Sequence, residues 1–358
     1  MVTVVDAGVA GSSLVSPKGG GMWRYILFRF FLLIPTVFIV VTVVFFLTRF
    51  TGDPITAALG GRLPPDQLQE RIHQAGYDRP LIVQYIEYIG GVLRGDFGTT
   101  ITDNRPVTEI LLTYGTATLE LVFYALIVAF AVGIPLGLVA ASRRDRPSDA
   151  ALRIGAVLLY ATPIFFVAIL LKLTFSVWLG WLPVAGRAST RTELLLQSVD
   201  PPTGIYLVDA IRLGNAAAIG DVLWHAVLPG LALGLLTAGI FLRLVRTNVI
   251  GTLGAQYVTS ARSRGVSERR LLTKHAYRPA LIPIVTVIGL QIALLLSGAV
   301  LTEKSFEWKG LGFMLSEYIK SRDFVAVQGI VIMIAIIVAL TNFIVDIIAA
   351  IIDPRVRY

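Results

Sequence analysis

The apolar residues of this chain are gathered into runs too long for the core of a soluble domain. Six runs reach the ~20 residues that a bilayer-spanning helix needs, because hydrocarbon offers the backbone no hydrogen-bond partner and each segment must satisfy its own amides. They lie at 26–47, 119–141, 152–179, 222–244, 280–301 and 327–352. A single run of this kind also fits a buried core helix. Six together predict an all-α polytopic membrane protein with six transmembrane helices.

The first span stands apart. About seventy residues separate it from the second, including Pro64-Pro65, a helical-looking stretch at 66–75, and Gly95-Asp96-Phe97-Gly98. A connection this long has structure of its own or a partner. The expected organisation is a flexible tail at 1–21, rich in Gly, Ser and Val, and a first span with a structured extracytoplasmic loop at 22–113. A five-span core at 114–350 and a short tail at 351–358 follow. Gly133 with Gly137, and Gly230 with Gly234, are four apart, so each pair shares a helix face and lets a neighbouring helix come close. Pro35, Pro135, Pro163 and Pro229 fall inside spans and predict kinks or broken helices.

Composition agrees, with 55% hydrophobic and 15% charged residues, against roughly 25% charged in soluble domains. The net charge of +8 would suggest nucleic acid in a soluble protein, but its distribution argues for a membrane instead. An even number of spans puts both termini on one side. That side carries a net +10, the opposite loops at 48–118, 180–221 and 302–326 carry −3, and the spans carry the remaining +1. With the long first loop discounted, the basic excess predicts both termini in the cytoplasm of a bacterial inner (cytoplasmic) membrane. Lys18 and Arg24 before the first run have the look of a signal peptide. The run is longer than a signal core, however, and ends in Thr48-Arg49-Phe50 without a cleavage pattern, so it is read as an uncleaved span. The absence of cysteine excludes disulfide and thiol chemistry.

The segment 248–278, between the fourth and fifth spans, is basic yet patterned. Residues 252–264 and 267–277 each have helix-forming composition, with Gly265 between them, where a left-handed residue ends one helix and turns the chain. Ser267 is placed to cap the second helix, and Glu268 in its first turn suits the helix dipole. Tyr257, Val258 and Ala261 are spaced to share one face, as are Leu271, Leu272 and His275. Two short helices with an apolar face and a basic rim suit either the grip of another protein or anionic lipid.

The run from Tyr257 through Thr259-Ser260-Ala261, Gly265 and Arg270, followed by His275-Ala276-Tyr277-Arg278-Pro279-Ala280-Leu281-Ile282-Pro283, resembles the coupling loop of binding-protein-dependent ABC importers. The likeness is to the dipeptide/oligopeptide (and nickel) permease branch. Thr259, Ser260 and Ala261 stand where that family has Glu-Ala-Ala, so the acidic residue is absent. Gly52-Asp53-Pro54, Leu93-Arg94-Gly95-Asp96-Phe97-Gly98, and Asn342, Asp346 and Asp353-Pro354-Arg355 are similar as well. So is Phe306-Glu307-Trp308-Lys309-Gly310-Leu311-Gly312, where Lys309 replaces a proline. The resemblance covers residues 22–358.

It implies the type I ABC importer permease fold, with cytoplasmic coupling helices between spans 4 and 5. Implied partners are a second homologous permease, two ABC ATPase subunits (identical or one of each of two kinds), an extracytoplasmic solute-binding protein and membrane lipid, but no nucleic acid. Coupling to the ATPase would fall to Tyr257, Ala261, Gly265, Ser267, Leu271 and His275. The binding protein would face Gly95, Asp96, Gly98, Phe306, Gly310 and Gly312. The implied cargo is a dipeptide or oligopeptide, a nickel chelate or another small ligand.

Remaining chemistry is sparse. Asp96-Phe97-Gly98 is like a kinase magnesium motif, but it lacks the accompanying loops. No Gly-x4-Gly-Lys-Ser/Thr occurs, so ATP and magnesium would be bound by partner subunits, with no cofactor and no catalytic residue on this chain. His73, His225 and His275 lack metal-ligand spacing. A charge in a span costs about 2.5–3.5 kcal/mol at the centre and needs a reason. Arg153 and Arg243 can snorkel. Glu120 and Lys172 sit at similar depth and either pair or face a water-filled path. Asn342 and Asp346 share one face of the last span and suit a helix-to-helix contact, with the path as the alternative. An ion-coupled secondary transporter would call for midplane ionisable residues and inverted repeats, and an intramembrane enzyme for a nucleophile–base or metal constellation. The sequence shows neither.

Overall fold

The computed structural model describes residues 21–50 and 52–352. The predicted tail at 1–21 falls almost wholly outside these, as do residues 353–358 with Asp353, Pro354 and Arg355. Among the described residues the chain is helical, with one isolated antiparallel bridge between Thr99 and Pro106 and no strand.

The first helix, α1 (Gly21–Phe50), is followed by three short helices: α2 (Pro54–Leu59), α3 (Pro65–Gln74) and α4 (Leu81–Leu93). Local chemistry starts α2: the Asp53 carboxylate accepts from Thr56 N at 2.7 Å and Pro54 opens the helix. Gly76, Gly95 and Gly98 have φ of +71°, +78° and +85°, the left-handed turns that fold this outer unit back on itself.

Two helices dominate the core, α5 (Val107–Ser142, 36 residues) and α10 (Ala216–Leu253, 38 residues). At 1.5 Å per residue each is roughly 55 Å long, well beyond a ~30 Å hydrocarbon layer. The apolar runs at 119–141 and 222–244 are therefore only the middle parts of longer rods. All four glycines singled out in the sequence meet at this one contact. A Cβ on Gly133 would stand 2.6 Å from Ala238 O, on Gly137 2.7 Å from Val245 Cβ, on Gly234 2.6 Å from Ala125 O, and on Gly230 3.4 Å from Tyr124 Cβ. Backbones at this distance gain dispersion contacts that larger side chains forbid.

The third predicted span is not one helix. It consists of α6 (Pro147–Ala161) and α7 (Ile164–Leu171), the latter continued as a π-helical stretch, Lys172–Trp178, and the two parts are bent by 104°. The break is at Pro163. Thr162 before it takes an extended ψ of 129°, as a residue preceding proline prefers, and its hydroxyl donates to Leu158 O at 2.6 Å. Ala156 packs against Gly239 and Leu242 of α10, whereas Ala168 packs against Leu228, Ala232 and Phe306. The other three prolines do not break their spans: Pro35, Pro135 and Pro229 lie inside continuous helices.

Between the third and fourth spans, α8 (Thr190–Leu196) and α9 (Tyr206–Arg212) cap the outer ends of the helices. After α10, the short α11 (Gln256–Ser263) precedes a continuous helical run made of α12 (Glu268–Arg270), a π-helical turn at Leu271–Ala276 and α13 (Tyr277–Phe306). The chain ends in α14 (Leu311–Lys320) and the last span, α15 (Phe324–Ile352). Among the described residues five helices are long and apolar enough to cross a membrane, and six spans result when the bent pair is counted as one. Helix α1 packs on α15, with Arg29 to Asp346 at 3.2 Å and Phe30 against Phe343 at 6.0 Å.

Candidate functional site

The segment after α10 folds back by a complete helix-stop motif. Gly265 N donates to Arg262 O at 2.9 Å and Val266 N to Ala261 O at 3.3 Å, with Gly265 at φ +80°. These two bonds satisfy the last carbonyls of α11 and need a left-handed residue at Gly265. Val266 closes over Ala261 in a small buried cluster with Val258 and Leu271. Arg262 then clasps Glu268 across the turn, Nε to Oε1 at 2.6 Å and Nη2 to Oε2 at 3.1 Å. This hydrogen-bonded guanidinium holds the exposed Glu268 carboxyl below the usual carboxylate range.

Five expectations change here. The helix predicted at 252–264 is split, because Thr252 and Leu253 still belong to α10. The second predicted helix, 267–277, is not a separate unit; it is the start of the rod that becomes the fifth span. Ser267 has the extended backbone of a cap residue, but its side chain makes no capping bond. Leu271 and Ala261 are buried among the chain's own residues, so their apolar surface serves the turn and is not on offer to a partner. Tyr257 is 47% exposed rather than buried with Val258 and Ala261, and its hydroxyl donates to His275 O at 3.4 Å. What faces outward is Tyr257, Gly265, Ser267 and a basic rim of Arg264, Arg269, Arg270 and Lys274, with His275 half-buried beside it.

Just above this turn, buried Asp149 at the start of α6 takes Arg246 of α10 in a two-pronged pair, at 2.6 and 2.7 Å. The sequence counted both as loop charges and missed the pair. Fork-to-carboxylate pairing of this type fixes relative geometry as well as charge.

Three of the charges that the sequence places inside spans, Glu120, Lys172 and Asp346, have partners, whereas Arg243 is exposed. Glu120 does not meet Lys172. It is buried against Arg187 and accepts from Leu207 N at 2.9 Å and Tyr124 Oη at 3.0 Å, while the Arg187 guanidinium stacks 3.7 Å from the Tyr206 ring. Lys172 instead donates to Ser305 O at 3.0 Å. The difference arises because the 180–215 connection brings a cation into the core that the span-by-span reading had assigned to an outer loop. Asp346 pairs with Arg29, and Asn342 lies against Gly289 of α13, where a Cβ would be 3.1 Å from its Oδ1. Both are helix-to-helix contacts.

The residues expected to face a binding protein divide. Gly95, Asp96 and Gly98 are exposed, and Asp96 Oδ1 accepts from Gly98 N at 2.9 Å. Phe306, Gly310 and Gly312 are buried and shape the surface from beneath. Their reason is internal. Trp308 is fully buried and donates to Ala117 O at 2.9 Å. A Cβ on Gly312 would stand 2.4 Å from Val300 Cα, and one on Gly310 2.4 Å from the Glu303 carboxylate. Buried Glu303, read from sequence as a loop charge, accepts from Thr118 Oγ1 at 2.7 Å and Phe313 N at 2.8 Å, so it joins α5, α13 and α14. Asp323, also missed, accepts from Ile101 N at 2.7 Å and Thr102 N at 2.8 Å and ties the 99–106 loop to the start of α15.

A family model described as the binding-protein-dependent transport system inner membrane component matches residues 133–358, and its N-terminal counterpart matches residues 22–133. The di/tripeptide transport system permease protein DppB of Pseudomonas aeruginosa is 38% identical over 339 residues, which cover 94% of this chain and 99% of that protein. The dipeptide transport system permease protein DppB of Escherichia coli is 36% identical over the same shares. The glutathione transport system permease protein GsiC of Salmonella choleraesuis is 35% identical over 94% of this chain and all of that protein.

Proposed function

This chain belongs to the family of binding-protein-dependent transport system inner-membrane components, and we propose that it is the permease subunit of an ATP-driven (ABC) importer that carries dipeptides or oligopeptides. The observation that carries the mechanism is the cytoplasmic turn at Gly265 and its direct continuation into α13. A partner ATPase that grips Tyr257, Gly265, Ser267 and the basic rim moves the base of the fifth span, with no flexible linker between. The other end of α13 carries Glu303 and Phe306, beneath the outer surface. Closure and opening of the ATPases thus reach the outer face through one helix, which is the requirement of alternating access.

In this reading both termini are cytoplasmic, a second permease completes the path, and two ATPase subunits supply the energy. An extracytoplasmic solute-binding protein docks near Gly95, Asp96 and Gly98. Glu120 and Lys172 act as struts at the outer end of the path, and Asn342 and Asp346 as struts near its inner end. The test is reconstitution: the chain with its partners in liposomes imports a dipeptide when ATP is supplied, and the chain alone hydrolyses none. Uptake driven by an ion gradient without ATP would overturn the reading.

A further inference from the structure

The outer unit holds a cavity to which the transport reading assigns no ligand. A cavity of about 350 Å³ lies where α1, α4, the Asp96–Gly98 turn and α15 meet, lined among others by Arg49, Tyr77, Gln84, Tyr88, Asp96 and Gln328. Among the described residues five buried side-chain polar atoms lack a hydrogen-bond partner. Three of them, Arg49 Nη1, Tyr88 Oη and Gln328 Nε2, belong to residues lining this cavity. Gln328 is only 3% exposed. Its amide lies beside the Tyr88 hydroxyl. A buried donor left unmatched costs free energy, and several at one place mark a site shaped for an acceptor.

Arg49 is held as if for that purpose. Its guanidinium lies 5.0 Å from the Phe45 ring and 4.7 Å from the Tyr77 ring. Its Nε donates to Gln84 Oε1 at 3.0 Å, and Gln84 is fixed in turn by donating to Tyr77 O at 3.0 Å and Arg79 O at 2.8 Å. One edge of the fork is therefore committed, while Nη1 on the other is left over. Unmatched groups that can all donate, one of them cationic, fit a carboxylate. The rim adds an exposed carboxylate, Asp96, whereas Glu87 is already taken by Arg79 at 2.7 Å. One free positive and one free negative group disfavour a multiply charged anion and favour a ligand with both signs. The volume falls within the ~300–1,000 Å³ of small-molecule sites.

We propose that this cavity binds a small zwitterionic amino carboxylate, a free amino acid or a short peptide, with its carboxylate on Arg49, Gln328 and Tyr88 and its ammonium toward Asp96. The site does not depend on the transport function, whose failure would leave it intact. The test is calorimetric titration of the full-length chain in lipid nanodiscs with glycine, dialanine, acetate and glycinamide. Glycine or dialanine binds saturably, one per chain; acetate binds more weakly, and glycinamide does not bind. Tighter binding of glycine identifies a free amino acid as the ligand, and tighter binding of dialanine a peptide.

Gln328→Leu and Arg49→Lys each weaken binding by at least about tenfold. Gln328→Leu does so without lowering the thermal midpoint, since it removes an unmatched polar group. Three results overturn the proposal: no saturable binding of glycine or dialanine at millimolar concentration, glycinamide binding equal to glycine, or binding unchanged in both variants. The last would place the ligand elsewhere on the chain.

Discussion

Replacing Asp149 by alanine isolates the clip between α6 and α10. The carboxylate is fully buried and Arg246 is 17% exposed, so solvent screens the pair little. Loss of the carboxylate leaves Arg246 without its two charge-assisted bonds and Asp145 N without its acceptor at 3.1 Å. Arg153 at 3.7 Å is half exposed and adds little. Removing one partner of a buried pair costs about 3–5 kcal/mol, mostly through the uncompensated charge left behind. The double variant Asp149→Ala/Arg246→Met removes both charges and is expected to recover most of that loss. Thermal and denaturant unfolding of the purified chain in nanodiscs gives the four midpoints of the cycle. Asp149→Ala and Arg246→Met should each lower the midpoint by several degrees, and the double variant should return close to wild type. A double variant as unstable as the sum of the singles would refute the argument, because the two residues would then act independently.

Gly265→Val should leave membrane insertion intact but abolish ATPase co-purification, since a φ of +80° costs a non-glycine residue roughly 1 kcal/mol or more and no neighbour lies within 4 Å to complicate the reading. Gly234→Leu should prevent stable accumulation of the chain, measured in membranes, because even a Cβ there meets Ala125 O at 2.6 Å. Reporter fusions after Arg146 and Arg270 should read cytoplasm and those near Gly98 and Gly312 the outside; a cytoplasmic signal at Gly98 would contradict six spans. Because the folded Glu268 carboxyl titrates below its ordinary value, the Arg262 clasp contributes fully above the normal glutamate range and is lost only as pH falls through the lower folded value. Amide exchange at Gly265, corrected for its intrinsic rate, should thus be flat from about pH 6 to 8 and rise below about pH 4.

The span positions were legible because a fixed hydrocarbon thickness leaves few ways to place a 20-residue apolar run. The glycine pairs were legible as close contacts, though not the fact that both belong to one interface. Four prolines looked alike in sequence, yet only Pro163 breaks its span. Thr162 leaves the helical region there, whereas Pro35, Pro135 and Pro229 stay within continuous helices. Apolar spacing marked Ala261 and Leu271 for burial but not the surface that buries them, and the answer was the turn itself. Glu120, Glu303, Asp149 and Asp323 take partners 67 to 222 residues away. No local pattern encodes such pairings, so charges that looked isolated along the chain proved to be the fasteners between its elements.

The pairing of α1 with α15 has a consequence for the order of events during synthesis. Of the spans described, the first finds its Arg29–Asp346 and Phe30–Phe343 contacts only on the last. Roughly three hundred residues separate the two, which at 5–20 residues per second is a delay of roughly 15–60 s. For that time Arg29 has no Asp346, and the outer loop that Asp323 later fastens is also unsecured. A ribosome stalled before α15 therefore leaves an inserted first span with an orphan charge and an open flank.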